Sequence, residues 1–194
     1  MNLIAKDRAT DTLSETENSR ASLLAIIKKE SYRYSPTAEF TLSSGVKSNF
    51  YFDMKMTMLD PSGAHLIADV LAETLSHHKT RYVAGLELGA VPLIVAACMR
   101  GCHGLIVRKD KKGHGTKKLV EGPLPPKGTE VIVLDDVTTK GDSVLTAVHE
   151  LRAAGCKVRT VVTLVDREDE ARDRLAAEEI TLVPVFTLAD FHTA

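Results

Sequence analysis

The run Val131-Ile-Val-Leu134 constrains the fold more than any other part of this sequence. Four apolar residues without polar alternation describe a strand covered on both faces, as in the centre of a parallel sheet. The run leads into Asp135-Asp136 and a Thr/Gly/Ser turn, after which the periodicity changes. Over Gly141 to Ala154, Val144, Val148 and Leu151 recur at helical spacing. The chain repeats this alternation on either side. A strand at Tyr82 to Leu86 precedes a helix near Pro92 to Arg100, and a strand at Leu105 to Val107 precedes a hydrophilic stretch to Glu121. Downstream, a strand at Val158 to Val165, a helix at Glu168 to Glu178 and a strand at Thr181 to Phe186 complete the series. Such alternation predicts an α/β fold with a mostly parallel central sheet flanked by helices. In sheets of that kind ligands bind where strands end and helices begin.

The N-terminal third reads differently. Ser19 to Tyr32 forms a short helical pattern with Leu23, Ile26 and Ile27 on one face. Phe40 to Met58 is strand-like around Ser44-Gly45. Asp60-Pro61 then has the form of a helix start, with Asp60 as N-cap and Pro61 in the first turn. Leu66, Ile67, Val70, Leu71 and Leu75 give that helix its apolar face. No repeat or linker divides residues 1–194, so a single domain is expected, its core at about 60–186.

Charge and composition remove several function classes. The formal net charge of −1 argues against electrostatic binding of nucleic acid, so any positive patch must be local. No apolar run approaches the roughly 20 residues needed to span a bilayer. The polar, acid-containing N-terminus lacks the apolar stretch of a secretory signal, and a cytoplasmic enzyme is the expectation. Three cysteines, Cys98, Cys102 and Cys156, do not make a disulfide framework. Cys98, Cys102 and His103 have helical spacing for metal ligation but no second ligand pair, so they are read as structural.

Two segments carry chemistry. In the first, Asp135 to Ser143, the turn offers consecutive backbone N–H groups, the hydroxyls of Thr138, Thr139 and Ser143, and a helix N-terminus. These are the parts of a phosphate-monoester site, and Gly141 lets the backbone approach the ligand. Two carboxylates directly before it suit a hydroxyl-rich neighbour such as a ribose. The alternative is a generic strand-to-helix turn with acids at its end, as in response regulators or ATPases. The absence of GxxxxGK[ST] argues against an ordinary P-loop. The second segment, Arg108 to Lys118, holds six Lys/Arg and one His in eleven positions, broken by Gly113 and Gly115. Glycines on either side of His114 suggest a closing lid; the alternative is a solvated basic loop.

Four apolar residues followed by D-D-V-x-T-x-G resemble the phosphoribosyl pyrophosphate motif of type I phosphoribosyltransferases. The resemblance implies that Asp135 and Asp136 hold the ribose hydroxyls and that Val137, Thr138, Thr139, Lys140, Gly141, Asp142 and Ser143 wrap the 5′-phosphate. R-K-x-x-K-x-H-G resembles the catalytic loop of orotate phosphoribosyltransferases, with Arg108, Lys109, Lys112 and His114 at the matching positions. It implies a homodimer in which the lid reaches the neighbouring subunit's site, Arg108 and Lys109 being fixed and Lys112 and His114 mobile. The segment Phe40 to Asp53 resembles F-x-L-x-S-G-x-x-S-x-x-Y-x-D of the same family, implying a small N-terminal hood from about 19–58.

By the same resemblance Arg167, after Thr163-Leu-Val-Asp, contacts orotate together with Thr139, and Glu87 and Gly89 lie in the pyrophosphate loop. A guanidinium fork suits the orotate carboxylate; the alternative is that Arg167 pairs with Glu168 or Glu170. Mg²⁺ is the implied cofactor, bound chiefly through donor oxygens and water, with no side chain assigned as a metal ligand. The expected partners are orotate and phosphoribosyl pyrophosphate, without nucleic acid or membrane. Many bacterial members carry lysines where Ser43 and Gly89 stand; Lys47 and Lys55 are candidate replacements for that charge. A purine phosphoribosyltransferase and a non-catalytic sensor of the donor are the rival functions.

Overall fold

The computed structural model describes residues 17–41, 47–110 and 119–192. It divides into two compact units, Met1–Glu73 and Thr74–Ala194. The first unit opens with helix α1, residues 17–26, which widens into a π-helical turn, Ile27–Ser31. Leu23 and Ile27 of the predicted face are fully buried, and Ile26 is half-buried.

Two small antiparallel pairs follow: β1, Tyr32–Tyr34, with β4, Phe50–Phe52, and β2, Phe40–Thr41, with β3, Lys47–Ser48. The strand-like reading fails beyond Phe52, where Lys55–Met58 forms a short helix, α2. There Met54 and Met58 are buried one helical turn apart, and the Thr57 hydroxyl lies 2.6 Å from that of Ser31. Helix α3, Pro61–Ser76, begins as expected: Asp60 Oδ1 accepts from the N–H groups of Ser62 and Gly63 at 2.9 and 3.0 Å.

The second unit is a six-stranded sheet. Its strands are β5 (Tyr82–Leu86), β6 (His103–Val107), β7 (Val120–Glu121), β8 (Ile132–Thr138), β9 (Thr160–Asp166) and β10 (Thr181–Thr187), in the order β10-β9-β8-β5-β6-β7. All neighbours are parallel except β7, which pairs antiparallel to β6 and forms the edge. Helices α4 (Val91–Met99), α5 (Asp142–Ala153) and α6 (Ala171–Ala176) join consecutive parallel strands, and α7 (Ala189–His192) closes the described chain. Val131 to Leu134 are all buried, as a strand covered on both faces requires. Ala147, Val148 and Leu151 of α5 join Val133 and Val161 in one cluster, where each buried aliphatic side chain contributes roughly 1.5–3 kcal/mol.

From β5 the connections step outward through β6, whereas from β8 they step the other way through β9 to β10. The sheet therefore reverses between β5 and β8, where open α/β sheets place their ligand crevice. Both strands are closely packed there. A Cβ built on Gly85 would lie 2.3 Å from the Ala90 Cβ and 2.6 Å from the Leu134 carbonyl oxygen. Because that oxygen belongs to the backbone, Gly85→Ala must push β5 from β8. We expect it to cost about 2–3 kcal/mol in urea unfolding, an overpacking penalty. An unchanged midpoint would show that the strands can part freely.

Candidate active site

Strand β8 is longer than its apolar run suggests. Asp135, Val137 and Thr138 still pair with Thr163, Val165 and Asp166 of β9, so both acids stand on the strand's end. Asp135 is 7% exposed and accepts a hydrogen bond from the Thr138 hydroxyl at 2.8 Å. Burial pushes its pKa up to about 8, with the neighbouring Asp136 charge adding to the rise and the Thr138 bond opposing it. A hydroxyl donor or cation bound there favours the carboxylate that burial disfavours, so such binding draws a proton off the acid.

After Thr138 the chain turns through Thr139 and Lys140 to Gly141, whose φ of 80° is the left-handed conformation glycine adopts without a Cβ penalty. Helix α5 starts at once with Asp142 and Ser143. Among the described residues, the backbone N–H groups of Thr139, Lys140, Gly141, Asp142 and Ser143 have no hydrogen-bond acceptor. Five successive donors at a helix N-terminus form an anion cradle. Thr138 differs from the other hydroxyl residues of the loop, since its hydroxyl is given to Asp135.

The loop after β5 closes the other side of the crevice. A Cβ on Gly89 would lie 2.5 Å from Asp136 Oδ1, so backbone and carboxylate are in close approach. A side chain at position 89 would therefore require the Asp136 carboxylate to move. The Glu87–Leu88 peptide bond is cis. Glu87 Oε1 accepts from the Lys109 N–H at 3.0 Å, and the Glu87 N–H donates to the Val107 carbonyl at 2.8 Å. Glu87 thereby ties the end of β6 to the loop. The Arg108 N–H donates to the Leu119 carbonyl at 2.8 Å, continuing the β6–β7 pairing. Arg108 and Lys109 thus sit at the root of the basic segment, while Lys112 and His114 lie outside the described residues, as does Ser43.

Arg167 directly follows β9, and its N–H donates to the Thr138 carbonyl at 3.0 Å. Burial of its guanidinium lowers its pKa from the ordinary arginine value, with Asp169 acting against the fall. The two acids proposed as alternative partners have other engagements: Glu168 Oε2 accepts from the Ala189 N–H at 3.1 Å, and Glu170 lies 3.4 Å from the Lys140 ammonium. Helix α6 is shorter than predicted at both ends. Glu168 and Glu179 have φ of 57° and 59°, and Asp166 Oδ1 accepts the Glu168 N–H at 2.9 Å in a side-chain-closed turn.

Lys55, a candidate substitute for missing charge, is ion-paired with Asp53 at 2.6 Å, and Lys47 is exposed on β3. The His103 ring stacks on Tyr82 with centroids 4.8 Å apart. Among the described residues, no three His, Cys, Asp or Glu side chains are grouped to hold a metal. Nor, among those residues, is any helix long and apolar enough to cross a membrane. Sequence reasoning missed Arg174, which donates to the Lys140 carbonyl at 2.6 Å and pairs with Asp142 at 2.8 Å. Its partners lie about thirty residues away, and no local pattern announces them.

The crevice thus brings together two carboxylates, an anion cradle, an arginine and the root of a basic segment. Known proteins place the same residues in a family. The phosphoribosyl transferase domain model matches residues 57–188. An orotate phosphoribosyltransferase of Bradyrhizobium sp. strain BTAi1 is 41% identical over 182 residues, covering 89% of this chain and 97% of the relative. Among solved structures, the Mycobacterium tuberculosis H37Rv orotate phosphoribosyltransferase in complex with Fe(III) dicitrate superposes with a TM-score of 0.78 at 33% identity. That match covers 90% of this chain and 99% of the other. The same enzyme in complex with 5-phospho-α-D-ribosyl 1-diphosphate gives 0.74 at 31%, with the same coverage. The fold is that of the type I phosphoribosyltransferases, and the chain belongs to the orotate phosphoribosyltransferase family.

Proposed function

We propose that this chain transfers the phosphoribosyl group of phosphoribosyl pyrophosphate to orotate, forming orotidine 5′-monophosphate and pyrophosphate in pyrimidine synthesis. The observation that carries the reading is the β8–α5 junction, where two carboxylates near the strand's end come two residues before five backbone donors that have no acceptor among the described residues. A ribose 5-phosphate presents those same two chemistries side by side.

In this mechanism the N–H groups from Thr139 to Ser143 bind the 5′-phosphate, and Asp135 and Asp136 accept from the ribose hydroxyls. The backbone of the Glu87–Gly89 loop faces the diphosphate. Arg167 takes the orotate carboxylate as a fork, with Thr139 at the same end, so that the ring nitrogen faces C1′. The N–C1′ bond forms as the C1′–O bond to pyrophosphate breaks, through a sugar with oxocarbenium character, and the proton of the ring nitrogen leaves to the departing pyrophosphate or to solvent. Lys112, Lys109 and Arg108 neutralise the leaving pyrophosphate, and His114 adds a hydrogen bond or a proton. Closing the lid excludes water that would otherwise capture the sugar.

The paired carboxylates also fit a Mg²⁺ ion that takes most of its ligands from donor oxygens and water, since two acids cannot fill its six positions. Asp135 and Asp136 would hold it through the donor, and bound there it would offset the diphosphate charge. The remaining parts of the proposal are a homodimer with lids exchanged between subunits and a cytoplasmic location. The basic run at residues 108–118 and the family's catalytic-loop pattern support the exchange.

The test is loss of orotate absorbance with purified protein, Mg²⁺ and phosphoribosyl pyrophosphate, with adenine, hypoxanthine and uracil alongside. Turnover of orotate alone is expected. Turnover of a purine would shift the substrate class, and donor binding without turnover of any base would make the chain a sensor.

A further inference from the structure

The carbonyls of Thr138, Thr139 and Lys140 accept hydrogen bonds, in order, from the Arg167 N–H at 3.0 Å, the Ala171 N–H at 3.2 Å and Arg174 Nη1 at 2.6 Å. In a trans peptide the N–H points opposite to the C=O of the same unit. Each bond therefore turns one N–H, that of Thr139, Lys140 or Gly141, away from the 167–174 segment. Two of the three anchors are backbone groups that many sequences would supply. The third is a side chain, and it does a second thing: the same guanidinium meets Asp142 Oδ1 at 2.8 Å. Asp142 is the first residue of α5. A carboxylate there suits the helix dipole but repels a phosphate bound at the same N-terminus.

We propose that Arg174 is a positioning residue for the donor's 5′-phosphate, orienting the Gly141 N–H through the Lys140 carbonyl and cancelling the Asp142 charge beside it. The role rests on the function proposed above, in that it assigns the cradle to that phosphate. Arg174 touches no substrate. The Asp142 side chain is 74% exposed, so the pair contributes little to folding and its effect is local. Both contacts are made by the single nitrogen Nη1, so a lysine ammonium that reaches the same point keeps them in part, whereas glutamine lacks the charge.

Calorimetric titration with ribose 5-phosphate tests the proposal without base or turnover. Arg174→Met is expected to weaken ribose 5-phosphate about tenfold, the loss typical of a hydrogen bond involving a charged group. The KM for phosphoribosyl pyrophosphate should rise in step, with kcat and the KM for orotate within about twofold, the pattern of lost uniform binding. Adding Asp142→Asn to Arg174→Met should recover part of the affinity, since the uncompensated charge is then gone. Arg174→Lys should fall between parent and Arg174→Met.

Ribose 5-phosphate affinity within twofold of the parent in a folded Arg174→Met protein overturns the proposal. So does a parallel fall in Tm and kcat with no recovery by Asp142→Asn, which marks a merely structural arginine. If Arg174→Met does not fold, parental affinity in Arg174→Gln overturns it equally. A protein that discriminates ribose 5-phosphate as expected but never consumes orotate would refute the catalytic function and leave Arg174 its role.

Discussion

Asp135→Asn is expected to make the protein more stable than its parent at pH 8 while reducing kcat/KM for the donor by about 10², a loss of charge-assisted hydrogen bonding where it is needed. The stability gain follows from linkage. Asp135 has a folded pKa of about 8, against about 3.9 for an unfolded aspartate. The folded state therefore holds a proton that the unfolded state releases. The stability this confers is fully present below pH 4 and is lost as pH rises through about 8. Above that pH the parent must fold around a buried carboxylate. Asparagine avoids the cost and still offers a carbonyl oxygen to the Thr138 hydroxyl.

The difference should reach a few kcal/mol at pH 8, part of the shift belonging to Asp136 rather than to Asp135 alone. Urea unfolding of both proteins at pH 5, 6.5 and 8 measures it, with the gap widening as pH rises. A gap independent of pH would mean that Asp135 titrates as an ordinary acid. The same proton links binding to pH. Donor hydroxyls favour the carboxylate, so binding should release a proton at pH 7, read by calorimetry in buffers of different ionisation enthalpy. Donor affinity should then rise with pH and level off above about 8.

Much of this site was legible because its parts are local. The buried run, the acids and the Thr/Gly/Ser turn occupy thirteen consecutive positions, and their order alone describes a strand ending in an anion cradle. What could not be read depends on pairing across the sheet. Val120–Glu121 is a two-residue edge strand within a polar stretch, too short for any periodicity, and it exists because β6 offers it a partner. The acids follow the apolar run and carry no strand signal of their own, yet β9 keeps them in register as strand. Lys55–Met58 looked extended because Met54, Met56 and Met58 alternate with polar residues, but Met54 and Met58 are buried while Met56 is 53% exposed. Arg174 sits in a charged stretch whose composition suggests only a solvated face, and its function follows from two contacts across the fold.

The other large effect is expected from Lys112→Ala, which should lower kcat by about 10²–10³, the usual cost of removing one transition-state charge contact. Ribose 5-phosphate affinity should stay near the parent's, because the β8–α5 cradle binds that ligand without the lid. The basic segment is held at both ends: Lys109 is tied to Glu87, and Arg108 pairs with Leu119. Chemistry that depends on residues 111–118 therefore requires them to reach a crevice, and mixing variants asks whose crevice it is. Lys112→Ala and Asp135→Asn are each poor enzymes. If lids cross between subunits, re-associated mixtures form heterodimers holding one site with both residues intact, and about a quarter of parental activity returns. If each lid serves its own subunit, every heterodimer site carries one defect and no activity returns. Recovery would establish both the dimer and the crossing. Its absence in a mixture shown to exchange subunits would confine Lys112 to its own chain.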